Sequence, residues 1–180
     1  MENNNIIKIQ NIGITKLSTD AIVNAANEGL WEGGGVCGAI FAEAGSGKLA
    51  QACAAIGGCD TGNAVITPGF NLKAKYIIHA VGPRWTDGNH GEPSLLYDAY
   101  KHSLELAKEH DLHSIGFPLI SAGIFGYPKE GAWKQAIHAC GDFRKKNPDY
   151  EIEIIFAILD DRILALGEEL LRKSEAVLPN

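Results

Sequence analysis

The fold is decided by two glycine-bearing stretches, Gly33-Gly34-Gly35-Val36-Cys37-Gly38 and Ser121-Ala122-Gly123-Ile124-Phe125-Gly126. Each follows an apolar, strand-like run and precedes a helix-like stretch. A strand that continues through such a loop into a helix leaves unpaired backbone N–H groups at the positive end of the helix dipole, where phosphate oxygens bind well. Two loops of this kind in one chain predict a ligand that carries two phosphates.

The composition limits the class of protein. The chain has 180 residues, is 46% hydrophobic, and contains no linker or low-complexity stretch, so we expect one domain across residues 1–180. Its formal net charge of -6 argues against broad electrostatic attraction to nucleic acid or to an anionic membrane. A phosphate ligand is therefore expected to be held by backbone geometry, and we expect no direct nucleic-acid partner.

The sequence also indicates where the protein works. The stretch Met1-Glu2-Asn3-Asn4-Asn5 lacks the basic and apolar regions of a signal peptide, and no apolar run approaches membrane-spanning length. We therefore expect a cytoplasmic protein with no membrane partner, and a monomer. The cysteines, Cys37, Cys53, Cys59 and Cys140, show neither a CxxC pair nor metal-finger spacing. They are interpreted as reduced, mostly buried thiols, and neither a metal site nor a cofactor is predicted.

Strand-like and helix-like patterns alternate along the chain. The predicted strands are Ile6–Ile9, Ala21–Ala26, Ala64–Thr67, Tyr76–Val81, Ser114–Ile120 and Glu151–Leu159. The predicted helices are Val36–Ala44, Lys48–Ala55, Pro93–His110, Glu130–Lys146 and Arg162–Lys173. This alternation favours an α/β fold with a central, mostly parallel sheet that helices cover on both faces. The third and fourth strands have no helix between them, so we expect an antiparallel pair and a mixed sheet of about six strands.

Polar side chains occur in and just after two apolar strands. Asn24 lies within Ala21–Ala26, and Asn27 lies where that strand gives way to a loop. A buried amide needs hydrogen-bond partners, which either neighbouring loop backbone or a ligand hydroxyl supplies. The position of Asn27 favours a sugar hydroxyl, and both interpretations stay open for Asn24. His79 lies in an apolar strand and is interpreted as a hydrogen-bonded core residue rather than a catalytic base.

Two other phosphate-binding motifs are matched only in part. The first glycine loop fits GxGxxG, but the dinucleotide-binding motif needs its glycines directly after a strand and an acidic residue about 20 positions further on. Here the residues Glu28-Gly29-Leu30-Trp31-Glu32 intervene, and Asp60 precedes a strand rather than following one. The stretch Ala44-Gly45-Ser46-Gly47-Lys48-Leu49 lacks the first glycine and the hydroxyl residue of a P-loop, and is interpreted as a helix break.

Three segments together resemble the macrodomain family. They are Asp20-Ala21-Ile22-Val23-Asn24-Ala25-Ala26-Asn27, the Gly33–Gly38 loop and Phe117-Pro118-Leu119-Ile120-Ser121-Ala122-Gly123-Ile124-Phe125-Gly126-Tyr127-Pro128, and Tyr76–Trp85 adds a further family-like stretch. The resemblance covers nearly the whole chain, with a core from about residue 6 to about residue 173. It implies a three-layer α/β/α sandwich whose cleft holds ADP-ribose, either free or attached to a protein side chain.

The resemblance also implies roles for individual residues. The first loop supplies backbone N–H groups to one part of the diphosphate, and the second loop cradles the other. Asn27 hydrogen-bonds the distal ribose, and Phe125 packs against it. Ile14 meets the adenine through its backbone N–H, and residues near Leu159 and Asp160 close the adenine side. The implied ligand-binding residues are Gly13, Ile14, Asn24, Gly34, Val36, Gly38, Ser121, Ala122, Gly123, Ile124, Phe125, Gly126, Leu159 and Asp160, and the implied catalytic residues are Asn27, Gly35 and Cys37.

One departure from the family pattern concerns the adenine. Family members commonly read Gly-Asp-Ile-Thr near the start, and the Asp accepts a hydrogen bond from the adenine amino group. This chain reads Ile12-Gly13-Ile14-Thr15. Losing one such hydrogen bond weakens binding by about 0.5–1.5 kcal/mol, so we expect relaxed base selectivity unless an acceptor such as Asp160 compensates.

A second departure concerns catalysis. Hydrolytic macrodomains of the bacterial and mitochondrial type usually carry Asp where this chain has Cys37. The Gly-Val-Cys version resembles the loop of alphavirus macrodomains, which as a group remove ADP-ribose from acidic side chains. The thiol is either an apolar filler or, at a helix N-terminus, a nucleophile with a lowered pKa.

The resemblance leaves three functions open. The leading hypothesis is hydrolysis of mono-ADP-ribose esters, on Asp or Glu side chains or in O-acetyl-ADP-ribose, by a water that the substrate itself helps to orient. The second is a non-catalytic reader of ADP-ribosylated proteins, and the third is a phosphatase for ADP-ribose 1''-phosphate. All three require ADP-ribose or an ADP-ribosylated protein as the partner.

Overall fold

A six-stranded sheet forms the middle of the molecule in a computed structural model that describes residues 7–177, with side chains to residue 175. The strands are β1 (Ile7–Gln10), β2 (Ala21–Ala25), β3 (Ala64–Pro68), β4 (Tyr76–Ala80), β5 (Ser114–Phe117) and β6 (Glu153–Ala157). The helices are α1 (Gly35–Ala44), α2 (Ser46–Ile56), α3 (Glu92–Glu109), α4 (Lys129–Lys146) and α5 (Asp161–Val177), with a 3₁₀ turn at Ile14–Lys16. Among these described helices, none has the length and apolar character needed to cross a membrane.

The strand order is β1-β6-β5-β2-β4-β3. All neighbours run parallel except β3 and β4, which pair antiparallel from Ala64 opposite Ala80 to Pro68 opposite Tyr76. The predicted mixed sheet and its antiparallel pair are therefore confirmed. Since β2 lies between β4 and β5, the ends of three parallel strands meet at one edge of the sheet.

Helices cover both faces of the sheet, which confirms the three-layer α/β/α sandwich. Successive residues of a strand point to opposite faces, so Ile22 and Ile77 pack on the side of α1 and α2. Their neighbours Val23 and Ile78 pack on the opposite side, against α3 and α4. All four side chains are fully buried, and the sheet therefore separates two hydrophobic clusters.

Several predicted boundaries shift in the structure. The predicted strand Ser114–Ile120 is wrong at its end because β5 stops at Phe117, before a proline that has no N–H for the sheet. The predicted strand Glu151–Leu159 likewise shortens to β6. The predicted helix break is confirmed at Gly45, whose φ of 105° separates α1 from α2. Ile6, the predicted start of the first strand, lies outside the described residues.

A buried polar network crosses β2, β4 and β3. The Asn24 amide nitrogen donates to His79 Nδ1 at 3.1 Å, and His79 Nε2 lies 3.0 Å from Thr67 Oγ1, which donates in turn to the Pro68 carbonyl. Nδ1 must be unprotonated to accept, so the ring is neutral. Burial lowers the pKa of His79 to about 4. The interpretation of His79 as a hydrogen-bonded core residue is confirmed.

A buried hydroxyl holds the chain just after β5. Tyr100 is fully buried, and its OH donates to the Pro118 carbonyl at 3.3 Å and accepts from the Ile120 N–H at 2.9 Å. Both backbone groups are remote from water and have left the sheet ladder. The tyrosine therefore fixes the course of the chain between β5 and the second glycine loop.

Removing that hydroxyl leaves two buried backbone groups without their partner. We expect Tyr100→Phe to lower the free energy of unfolding by about 1–3 kcal/mol, measured by urea denaturation. Tyr97→Phe is the matched control, because the Tyr97 hydroxyl binds the Asp142 carboxylate at a part-buried site that water can reach. Equal stability losses in the two variants would contradict the role assigned to Tyr100.

The neutral state of His79 predicts a pH dependence of stability. Its pKa is about 4 in the folded chain against 6.5 unfolded, so the unfolded chain binds the extra proton between these values. Stability is therefore lost as pH falls from 6.5 to 4, by up to roughly 3 kcal/mol. In His79→Gln this loss is absent, so the stability gap between wild type and variant shrinks over that window.

Urea denaturation at intervals of pH measures the effect. His113→Gln serves as a control of opposite sign, because the Glu151 carbonyl and the Asp111 carboxylate raise the pKa of His113. That imidazole stabilises the fold below its unfolded pKa, and the stabilisation is lost as pH rises through the folded value. If the difference in free energy of unfolding between wild type and His79→Gln does not change with pH, the assignment of His79 as a buried, neutral ring is contradicted.

Candidate functional site

A cavity of about 450 Å³ opens where β2, β4 and β5 end. In α/β proteins, ligands bind in such a crevice outside the carboxyl ends of parallel strands. The lining residues are Ala25, Ala26, Asn27, Gly33, Gly34, Gly35, Val36, Cys37, Gly82, Arg84, Pro118, Leu119, Ile120, Ser121, Gly123, Ile124 and Phe125. The structure therefore brings both glycine loops and Asn27 to one cavity.

The first loop runs directly into α1. Gly34 is the N-cap residue, and no side chain in the described part of the protein caps the helix. The backbone N–H groups of the first turn are therefore free to face a ligand at the positive end of the dipole. Two positions demand glycine: Gly35 has a φ of 57°, and a Cβ on Gly38 would lie 2.7 Å from the Gly33 carbonyl oxygen.

The second loop differs from the sequence prediction in one respect. Tyr127 and Pro128 separate it from α4, so its N–H groups belong to a turn rather than to the first turn of a helix. The turn is closed by hydrogen bonds from the Gly126 N–H to the Gly123 carbonyl and from the Tyr127 N–H to the Ser121 carbonyl. The Lys129 ammonium also donates to the Ala122 carbonyl at 2.5 Å. The loop is thus preformed, and helix geometry plays no part in it.

Ser121 lies at the strained start of this loop. Its φ is 67°, its side chain is buried, and its Oγ has no hydrogen-bond partner within the described residues. A Cβ on Gly82 would lie 2.2 Å from that Oγ, so the chain after β4 packs directly on the second loop. Ile124 lies at the tip of the loop and is 83% exposed.

The Asn27 amide is engaged in its own loop. Its Oδ1 accepts from the Trp31 N–H at 2.9 Å, and its Nδ2 donates to the Trp31 carbonyl at 3.0 Å. An amide oxygen has two lone pairs and the amide nitrogen two hydrogens, so each atom keeps one site for a ligand. Asn27 therefore combines the two interpretations drawn from the sequence: it closes a turn and it lines the cavity.

Cys37 lines the cavity, and its side chain points toward the loop that precedes it. The side chain is buried, and Sγ donates to the Trp31 carbonyl at 3.6 Å. This arrangement favours the interpretation of the thiol as an apolar filler. Cys37, Cys53, Cys59 and Cys140 are all free, and all but Cys59 are buried, as the sequence predicted.

The residues assigned to the adenine side lie at the same sheet edge but outside the cavity lining. Ile14 is buried at the start of the 3₁₀ turn, next to Gly13. Leu159 and Asp160 follow β6, where the Asn11 amide nitrogen donates to the Leu159 carbonyl at 3.0 Å. Asp160 Oδ1 accepts from two backbone N–H groups at the start of α5 and so caps that helix. Asn24 also lies outside the lining, in the buried network below it.

Arg84 is the one charged residue of the described cavity lining, and the sequence analysis did not single it out. The other lining residues that it did not name as site residues are Ala25, Ala26, Gly33, Gly82, Pro118, Leu119 and Ile120. Its guanidinium carbon lies 4.6 Å from the centre of the Phe125 ring, and the Trp85 N–H donates to the Phe125 carbonyl at 2.8 Å. The available signal was an arginine directly after a buried parallel strand, in the stretch Val81-Gly82-Pro83-Arg84-Trp85. Only the fold shows that this arginine meets the second loop.

A buried carboxylate holds the segment that follows Arg84. Glu92 Oε2 accepts from the backbone N–H groups of Thr86, Asp87 and Gly88 at 3.0–3.1 Å, and Oε1 accepts from that of His90 at 2.6 Å. Burial alone would raise the pKa of Glu92, but the backbone donors outweigh it and lower the pKa to about 2. The segment is therefore anchored at neutral pH.

Comparisons with known proteins agree with this architecture. The family model described as Macro domain matches residues 23–136. A macro domain-containing protein of Chlorobaculum tepidum is 47% identical over 171 residues, which are 95% of this chain and 98% of that protein. A protein of Cronobacter turicensis named O-acetyl-ADP-ribose deacetylase is 44% identical over 162 residues, 88% of this chain and 91% of its own length.

Solved structures match over most of the chain. The Oceanobacillus iheyensis macrodomain with ADP superposes with a TM-score of 0.92 at 36% identity, covering 98% of this chain and 95% of that one. The Trypanosoma brucei macrodomain in complex with ADP-ribose gives a TM-score of 0.85 at 35% identity, covering 92% and 68%. On the family match, the relatives and the shared architecture, the chain belongs to the macrodomain family.

Proposed function

We propose that this macrodomain binds ADP-ribose and hydrolyses mono-ADP-ribose esters, either O-acetyl-ADP-ribose or ADP-ribose attached to Asp or Glu side chains. The observation that carries the proposal is the cavity, where the uncapped start of α1, the preformed second loop and Asn27 meet. Relatives named O-acetyl-ADP-ribose deacetylase, 44% and 45% identical to this chain, support the hydrolytic part.

The proposed ligand lies across both loops. The N–H groups of Gly35, Val36 and Cys37 bind one part of the diphosphate at the positive end of α1, and the second loop cradles the other. The distal ribose lies between Asn27 and Phe125. Because the amide is already oriented by Trp31, it meets a ribose hydroxyl without first losing side-chain freedom.

The reaction transfers an acyl group to water, or the sugar to water, with the same products. In the first route, the water oxygen bonds to the acyl carbon and the bond from that carbon to the ribose oxygen breaks. In the second, which is open only to an ester on the anomeric carbon, the water oxygen bonds to that carbon and its bond to the carboxylate oxygen breaks. In the first route, one water proton is transferred to the departing ribose oxygen, whereas in the second the attacking water keeps one proton and becomes the ribose hydroxyl. In both, the other proton leaves to solvent and a free carboxylate forms.

The nucleophile is oriented by the substrate itself. Within the described residues, no carboxylate lines the cavity to serve as a general base. A phosphate oxygen of the ligand, close to the distal ribose, accepts a hydrogen bond from the attacking water and positions it. The Cys37 thiol faces the Trp31 carbonyl, so it takes no part in this step.

Asn27 is the side chain whose loss tests the proposal. We expect wild type to release ADP-ribose from a protein automodified on glutamate, and Asn27→Ala to reduce the rate on the order of 100-fold because the distal ribose is no longer positioned. Release of labelled ADP-ribose measures the rate. Cys37→Ala is the matched control in the same loop region, and we expect it to retain turnover within about threefold of wild type.

Binding measured in parallel separates the remaining functions. A rise in melting temperature with ADP-ribose but no release by wild type would make the protein a reader. Phosphate release from ADP-ribose 1''-phosphate, without ester hydrolysis, would make it a phosphatase. Loss of turnover in Cys37→Ala would contradict the filler role of the thiol.

The adenine side gives a separate prediction. Gly13 has a φ of −69° and room for a side chain, since an added Cβ would meet only Lys16 Cγ at 3.8 Å. We expect Gly13→Asp to restore the missing acceptor and to tighten ADP-ribose binding by about two- to tenfold, corresponding to about 0.5–1.5 kcal/mol. The affinity for guanosine diphosphoribose should not increase.

Titration calorimetry with both nucleotides measures this difference. Gly13→Ala is the matched control, because it adds the Cβ without an acceptor and should leave both affinities unchanged. Equal affinities of Gly13→Asp and Gly13→Ala for ADP-ribose would contradict the placement of adenine next to this residue.

A further inference from the structure

The cavity contains one charged side chain among its described lining residues, that of Arg84. Its guanidinium is exposed, and no carboxylate of the described chain lies within ion-pair distance of it. In a protein with a formal net charge of -6, an arginine left without a carboxylate inside a binding cavity is free to pair with a ligand anion.

Contacts on both sides hold this arginine in place. The guanidinium carbon lies 4.6 Å from the centre of the Phe125 ring, a cation–π arrangement that keeps the charged group over that ring. The next residue along the chain, Trp85, donates its backbone N–H to the Phe125 carbonyl. The centre of the Trp85 ring also lies 4.7 Å from the centre of the Tyr127 ring. Beyond it, the Glu92 carboxylate anchors the next segment.

The position of Arg84 relates it to one end of the proposed ligand. Phe125 is the residue on which the distal ribose packs in the proposed function, and Arg84 covers the same ring. In the proposed function, backbone N–H groups of the two loops bind the diphosphate, so Arg84 is not required to neutralise it. We therefore expect the group attached to the distal ribose to be the part of a substrate nearest to Arg84.

Hydrolysis creates negative charge on that group. Attack on the acyl carbon places the charge on the carbonyl oxygen, and attack on the anomeric carbon places it on the departing carboxylate. Both routes charge the acyl oxygens, which are neutral in the ester. A guanidinium matches two carboxylate oxygens with two parallel N–H bonds and favours the charged state over the neutral one.

We propose that Arg84 binds the acyl oxygens of the group on the distal ribose and makes the site selective for substrates that release a carboxylate. A substrate joined through an arginine side chain releases a cation, which Arg84 repels. The expected effect of Arg84 on kcat rests on the proposed ester hydrolysis. The expected effect of Arg84 on ligand affinity rests only on the binding of ADP-ribose in the cavity.

The role proposed for Arg84 is tested by two measurements. Each compares wild type with Arg84→Gln and Arg84→Lys. In the first, kcat and KM are determined with O-acetyl-ADP-ribose. We expect kcat to fall at least tenfold in Arg84→Gln and less in Arg84→Lys, which keeps the charge but loses the planar pair of donors. Arg172→Gln, which removes an exposed cation from α5, is the matched control and should leave kcat unchanged.

The second measurement needs no turnover. Calorimetry compares ADP-ribose with a non-hydrolysable ADP-ribose ether that carries a carboxymethyl group on the distal ribose. We expect Arg84→Gln to bind the carboxymethyl ether at least tenfold more weakly than wild type does, while the dissociation constant for ADP-ribose stays within about twofold.

The outcomes separate the two proposals. If wild type hydrolyses no ester but the carboxymethyl ether still depends on Arg84, ester hydrolysis fails and anion recognition by Arg84 stands. If wild type hydrolyses the ester and Arg84→Gln changes neither kcat nor the affinity for the ether, the inference about Arg84 is overturned. An equal loss of affinity for ADP-ribose and for the ether would also overturn it, because Arg84 would then serve the diphosphate.

Discussion

The parallel pairing of β2 with β4 on one side and β5 on the other is the constraint on which the rest of the structure depends. Parallel strands end at the same edge of a sheet, so the segments that follow these three strands must converge there. They are the first glycine loop, the Gly82–Trp85 segment and the second glycine loop. The residues that line the cavity are far apart in sequence and meet because of this pairing alone.

Convergence of three chain segments brings backbone polar groups together. Several of these groups bond to side chains, of which Tyr100 and Glu92 are buried and Asn27 is half-buried. Tyr100 bonds the chain after β5, Glu92 bonds the chain after Arg84, and Asn27 bonds the chain after β2. Each bond removes conformational freedom from a loop before any ligand arrives. The cavity is therefore preformed, and the binding energy of a ligand is not consumed in ordering it.

The sequence predicted this architecture to the extent that its signals are local. Alternating apolar runs predicted the six strands, the absence of a helix before Tyr76 predicted the antiparallel pair, and the glycines predicted the first loop at a helix start. The N–H groups of the second loop were predicted to lie at the start of a helix, which is wrong because they belong to a turn that Tyr127 and Pro128 separate from α4. A turn closed by its own backbone bonds and a turn that starts a helix share the same glycine pattern.

Arg84 escaped prediction for a different reason. Its partner, Phe125, is about forty positions away in the sequence, and nothing in a five-residue window around Arg84 indicates an aromatic contact. Asn24 shows the converse: the amide was visible in the sequence, but whether it faced a ligand or His79 depended on the register between β2 and β4. Sequence patterns indicate that a polar group needs a partner, and strand pairing decides which partner it meets.

The charge distribution of the site follows from the same geometry. In the proposed function, an acidic protein that binds a diphosphate gains little from long-range attraction, so we expect partial charges on fixed backbone N–H groups to contribute most of the binding. Such groups hold an anion that is present throughout the reaction, and they do not distinguish ester from product. A full positive charge is useful only where charge develops, and the one cation lining the described cavity is stacked on Phe125, beside the proposed reacting end of the ligand. The division of labour between backbone dipoles and Arg84 therefore matches the proposed difference between binding ADP-ribose and assisting the hydrolysis of its esters.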